Sequence, residues 1–149
     1  MTQPTGKKTG YIELENGGTI KLEFYPDVAP KHVANFEKLA NSGFYNGLTF
    51  HRVVPGFVVQ GGDPNGNGSG GPGWKVPAEF NNRKHLTGTL AMARSQDPNS
   101  AGSQFYICLE PQPGLDRQYT VFGQVTEGMD LVKKIRIGDK MKTVKVVDE

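Results

Sequence analysis

The chain has a single cysteine, Cys108, among its 149 residues. No internal disulfide can form, and nothing argues for an oxidising compartment. It also lacks an excess of either charge: 17 basic and 15 acidic side chains, mixed along the sequence, leave a net +2. That balance gives no electrostatic footprint for nucleic acid or an anionic membrane. Long apolar runs are missing too. The longest, VVPGFVV at 53–59, is far shorter than a membrane-spanning helix requires and is interrupted by Pro-Gly. The opening MTQPTGKKTG is polar, without the basic and apolar regions of a secretory leader. No heptad pattern or long apolar face calls for an oligomer. These absences lead to the expectation of a soluble, cytoplasmic, monomeric protein.

What is present is turn chemistry. Twenty glycines and ten prolines, without repetition, predict short elements joined by tight turns. The length suits one domain with a real core. Residues 1–8 read as a disordered tail and 9–149 as a single domain. YIELE (11–15) and TIKLEFY (19–25) alternate apolar and polar residues around Asn16-Gly17-Gly18, a hairpin signal. Asp27 and Pro30 open a helical pattern through Val33, Phe36 and Leu39, with Gly43 as its stop. Period two returns in LTFHRV, FVVQ, TLAMAR (89–94), SQFYICL (103–109) and YTVFGQV (119–125). TEGMDLVKKI (126–135) has helical spacing through Met129, Val132 and Ile135, and KTVKVV (142–147) closes as a strand. Seven or eight short strands without regular helical crossovers predict an antiparallel sheet or barrel, with two helices placed to cap its ends.

Several motifs fail on context. Gly66, Gly68 and Gly71 match G-x-G-x-x-G, but Pro72-Gly73-Trp74-Lys75-Val76-Pro77 follows where a dinucleotide site needs a helix, and no phosphate-loop Gly-Lys-Ser/Thr is present. The stretch reads as a surface loop needing positive φ. Asn67-Gly68-Ser69 is a glycosylation sequon only in a secreted chain. His32, His51 and His85 lack ligand spacing, so no metal and no cofactor is expected. Ser103 lacks a nucleophile-elbow context, and Cys108, in an apolar strand, reads as a small core residue. Strand parity should send His51 and Arg52 to opposite faces, leaving His51 a hydrogen-bonded structural role and Arg52 a face shared with Phe50.

Arg52, Gln60 and Gln104 remain as polar side chains on otherwise apolar strands. A guanidinium or amide against apolar surface is costly without partners. Three together predict a shallow apolar pocket lined with hydrogen-bond donors. Parity within SQFYICL puts Gln104 and Tyr106 on one face and Phe105 and Ile107 on the other, the core.

FHRVVPGFVVQGGD (50–63), GNGSGG, GTLAMAR, AGSQFYI and LDRQYTVFGQV followed by EGM resemble, in order and spacing, the cyclophilins, which are peptidyl-prolyl cis–trans isomerases. The similarity runs from about Tyr11 to Val147, and the short segment before FHR resembles the compact bacterial cytoplasmic members. The resemblance implies a closed eight-stranded antiparallel β-barrel capped by two α-helices. It implies that Arg52 is the catalytic arginine, that Phe57, Val58, Tyr106 and Leu115 receive the substrate proline, and that Gln60 and Gln104 hold the peptide backbone. The family usually has Met at the position of Val58 and Phe at that of Tyr106. Ala93 and Arg94 match the pair whose backbone binds the substrate strand, although Asn is frequent at the second. Tyr119 stands where many members have His beside the pocket. Gly114 replaces a Trp that matters for cyclosporin in eukaryotic members, so at most weak cyclosporin binding is expected. Implied partners are proline-containing peptides and unfolded proteins. The alternative is a non-catalytic proline-peptide binding module or chaperone, which would need the pocket but not the arginine.

Overall fold

The structure is a computed structural model, and it describes residues 8–67 and 70–148. The expected tail over 1–7, and Gly68 and Ser69 of the glycine motif and sequon, lie outside the described residues; Lys8, assigned to that tail, opens the first strand. In chain order the elements are β1 (Lys8–Leu14), β2 (Thr19–Phe24), α1 (Pro30–Asn41), β3 (Phe50–Val54), β4 (Val58–Gly61), β5 (Thr89–Met92), β6 (Phe105–Cys108), β7 (Val121–Glu127), α2 (Met129–Val132) and β8 (Met141–Asp148). A single 3₁₀ turn, Pro113–Leu115, lies between β6 and β7.

All eight strands join one antiparallel sheet in the order β3-β4-β6-β5-β7-β2-β1-β8. The expected closed barrel is corrected here. The outer strands β3 and β8 form no ladder with each other, so the sheet is an open half-barrel. Among the described residues, the bridge Thr49–Lys140 and backbone hydrogen bonds between loops stitch the two ends: Phe50 N–H to Asp139 O, Gly138 N–H to Phe50 O, Met141 N–H to Leu48 O and Gly47 N–H to Met141 O. Alternation specifies each strand's faces, but closure depends on which edges meet, which alternation does not encode.

One face of the sheet is packed against α1. Phe24, Phe36, Tyr45, Phe105 and Phe122 form a buried aromatic cluster with Phe36 at its centre, its ring 5.2–5.6 Å from the other four. Pro30 does open α1, but its end groups are satisfied from afar. No local side chain caps it; the Glu79 carboxylate accepts from Lys31 N–H (3.2 Å) and His32 N–H (2.8 Å). Gly43, at φ +83°, ends the helix in the left-handed region as expected. α2 is shorter than its ten-residue pattern. After Val132 the chain turns through tighter Lys134-to-Leu131 and Ile135-to-Val132 bonds, which still bury Val132 and Ile135.

The glycine stretch leads to no helix: irregular backbone runs on from Gly70 until β5, which removes the dinucleotide reading. Gly62 shows why one of these glycines is needed. Its φ is +92°, and a Cβ there would lie 2.5 Å from the carbonyl oxygen of Ser103.

Candidate active site

A second buried cluster lies apart from the main core: Val58, Ala91, Tyr106, Cys108 and Val121, with Phe57, Ala93, Leu115 and Tyr119 half-buried against it. Parity on β6 produces the division. Phe105 and Ile107 enter the main core, while Tyr106 and Cys108 enter this cluster. Cys108 is fully buried, and burial pushes its thiol up to about 12, so it packs as a small apolar residue.

A cavity of about 130 Å³ opens above the cluster, lined by Arg52, Phe57, Val58, Gln60, Ala93, Arg94, Tyr106, Leu115 and Tyr119. Nine of the ten candidate site residues thus come together. Gln104 lines instead an adjoining cavity of about 710 Å³, which shares Arg52, Gln60, Ala93 and Arg94 with the first. A line of amides follows the boundary: Gln104 Nε2 donates to Gly70 O (2.9 Å), Gln60 Nε2 to Gln104 Oε1 (3.0 Å), and Arg52 Nη1 reaches Gln60 Oε1 at 3.4 Å. The Arg52 guanidinium stands 5.7 Å from the centre of the Phe57 ring, and among the described residues it forms no ion pair.

Two expectations about β3 are corrected. The register passes from Phe50↔Gly61 to Arg52↔Gln60, so His51 is an extra residue in a β-bulge. A bulge breaks the period of two. Phe50 is buried in the core while Arg52 is exposed, so they do not share a face; His51 and Arg52 both line the larger cavity. Among the described residues, His51 also lacks the expected structural hydrogen bond, and its Nδ1 is buried without a partner.

Arg94 serves the rim with its side chain. Its Nε and Nη2 donate to Gln118 O (3.1 and 2.7 Å), Nη1 donates to Ser95 O, and the guanidinium lies over the Tyr119 ring at 4.6 Å. Tyr119 meets Tyr106 edge-on at 5.8 Å. The Ala93 N–H is already donated to Gln104 O.

His85, which sequence spacing dismissed, lies directly behind this wall. It is buried, with Nδ1 3.0 Å from Asp116 Oδ1 and Nε2 2.8 Å from the Tyr106 hydroxyl. The available signal was Tyr106 itself, since a buried phenol demands a partner. Burial lowers all three histidines from their ordinary value, against the pull of Glu79 on His32, Asp116 on His85 and Asp63 on His51. The unfolded chain therefore takes up protons near pH 6.5 that the folded chain refuses, and stability must fall there as pH falls. We expect a melting temperature level from pH 8 to 7 that declines below about pH 6.5. A rise on acidification through that window would contradict it.

The family model for cyclophilin type peptidyl-prolyl cis-trans isomerase/CLD matches residues 11–149. The chain belongs to the cyclophilins. Among the cyclophilin's curated relatives, peptidyl-prolyl cis-trans isomerase B of Bacillus subtilis is 55% identical over 141 residues, covering 93% of this chain and 98% of the relative. A peptidyl-prolyl cis-trans isomerase of Synechococcus elongatus is 54% identical over 140 residues, covering 93% and 95%. A crystal structure of a Cryptosporidium parvum cyclophilin, obtained in the presence of the dipeptide Ala-Pro, superimposes with a TM-score of 0.86 at 30% identity, covering 95% of this chain and 99% of that one. The cyclophilin is therefore a peptidyl-prolyl cis–trans isomerase. No helix among its described residues is long and apolar enough to cross a membrane.

Proposed function

We propose that the smaller cavity receives the substrate proline and that Arg52 catalyses rotation of the preceding peptide bond. The observation that carries this reading is the Arg52 guanidinium at the lip of a cavity floored by the Val58–Tyr106 cluster, without an ion-pair partner among the described residues and with one long hydrogen bond. The planar X–Pro bond is held by amide resonance, with a barrier of about 20 kcal/mol. Twisting removes that resonance and leaves the proline nitrogen pyramidal, with a lone pair. A fixed, permanently charged donor aimed there binds the twisted state and not the planar one.

The remaining side chains bind and orient. Phe57, Val58, Tyr106, Leu115 and Tyr119 hold the proline ring, while Gln60, Gln104 and the backbone of Ala93 and Arg94 hold the peptide on either side. Neither a metal nor a cofactor has a part in these steps. The single cysteine supports a cytoplasmic setting, with unfolded chains as substrates of a monomer. At Gly114 a side chain would meet open space, so no ring completes that rim and only weak cyclosporin binding is expected.

The test is cis–trans exchange of an Ala-Pro peptide by NMR. Catalytic amounts of protein should merge the cis and trans exchange peaks. Binding without faster exchange would make the protein a proline-peptide binding module instead.

The larger cavity sets a preference beyond proline. His51, Arg52, Lys75 and Arg94 line it, and no carboxylate does among the described residues. Peptides with Glu near the Ala-Pro unit should bind more tightly than those with Lys, by roughly two- to fivefold, as suits ion pairs of about 0.2–1 kcal/mol in partly exposed sites. The difference should shrink in high salt. Equal affinity of the two peptides at low salt would remove the preference.

A further inference from the structure

We propose that His85 is a positioning residue, holding two parts of the proline cavity's lining, Tyr106 and the loop that carries Leu115, in register by bonding both of them. The inference rests on the assignment of that cavity to the substrate proline.

His85 grips the loop that carries Leu115 at three points. Its carbonyl accepts from Gln112 N–H (2.9 Å), its own N–H donates to Asp116 Oδ1 (2.7 Å), and its ring Nδ1 meets the same oxygen at 3.0 Å. Leu115 lies between those anchor points, in the 3₁₀ turn. At its other ring nitrogen, Nε2 meets the hydroxyl of Tyr106, which β6 carries into the lining of the same cavity. The partners fix the tautomer. The Asp116 carboxylate only accepts, so Nδ1 carries the hydrogen, and Nε2 accepts from the Tyr106 hydroxyl.

Tyr106 is 4% exposed, so its hydroxyl has no access to solvent in place of Nε2. A buried hydroxyl deprived of its acceptor costs more than a hydroxyl deleted outright. Removing the Nε2 acceptor should therefore displace the ring toward the cavity, whereas removing acceptor and hydroxyl together should not. Tyr106 grips the proline ring in both planar and twisted states. The loss then falls on peptide affinity, with exchange on the enzyme preserved.

His85→Asn keeps an amide donor near Asp116 and removes the group facing Tyr106. We expect it to weaken Ala-Pro peptide binding by about five- to tenfold with exchange of bound peptide within about twofold, and adding Tyr106→Phe to restore most of the affinity. Native affinity in His85→Asn overturns the proposal. So does a double variant as weak as the single one, since His85 would then act through the fold alone. Imidazole nitrogen NMR on the native protein needs no variant: a bare Nε2 is expected, and a protonated Nε2 overturns the proposal. If the native protein fails to bind the peptide, the proline assignment itself fails, whatever the tautomer.

Discussion

Arg52→Ala is expected to slow cis–trans exchange on the enzyme by about ten- to a hundredfold while peptide affinity changes by less than about threefold. The magnitude follows from one charge-assisted hydrogen bond, about 1.5–3 kcal/mol, present only in the twisted state. Interactions confined to the transition state appear in the turnover rate and leave ground-state binding alone. Arg52→Lys should fall between the two, because an ammonium keeps the charge but loses the planar fork. The fold should survive both changes: Arg52 is exposed, and its only hydrogen bond among the described residues is the 3.4 Å contact with Gln60. Peptide exchange spectroscopy with separate titration for affinity decides the matter. Equal losses in rate and affinity would reduce Arg52 to a peptide contact, and an unchanged rate would move catalysis elsewhere.

The largest loss of stability should come from Phe36→Ala. Phe36 is 0% exposed, and four aromatic rings from β2, β6, β7 and the segment after α1 pack on it. Such truncations cost about 3–5 kcal/mol, because stiff neighbouring rings do not close the space left behind. Domains of this size have about 5–15 kcal/mol in total. The melting temperature should fall by about 6–20 °C, at roughly 2–4 °C per kcal/mol. Phe36 belongs to the main core and not to the cluster beneath the smaller cavity, so activity per folded molecule at low temperature should be nearly normal. A loss of less than about 1 kcal/mol in the unfolding free energy from denaturant titration would mean that the cluster repacks around the loss.

Much of this was legible in the chain because local chemistry and global fold agree. Alternating residues marked β5, β6, β7 and β8 to within a few positions, and Pro30 and Gly43 bracket α1. Arg52, Phe57, Val58, Gln60, Tyr106, Leu115 and Tyr119 were gathered by a resemblance, and they do share one cavity. What escaped was long-range. His51 looks like any strand residue, yet pairing with β4 makes it the extra one and reverses the faces on either side of it. The cap of α1 comes from Glu79, 47 residues beyond His32, and no pattern near the helix reports it. His85 acquires its place only when β6 and the 3₁₀ turn come to lie on either side of it. An open rather than closed sheet is likewise decided by edges far apart in the chain.

The stitched seam has a bearing on self-association. An open sheet presents two bare edges, each a template on which another chain could add a strand. Here Phe50 spends both its N–H and its C=O on the 138–139 loop, and Met141 spends both of its own on Leu48 and Gly47. The bulge at His51 bends the β3 edge further from a straight template. Lys142 and Lys145 are exposed on β8, and lysines on an edge strand disfavour the docking of another strand. A peptidyl-prolyl isomerase thus keeps its cavities open to peptide without offering an adhesive edge to the strands of other chains.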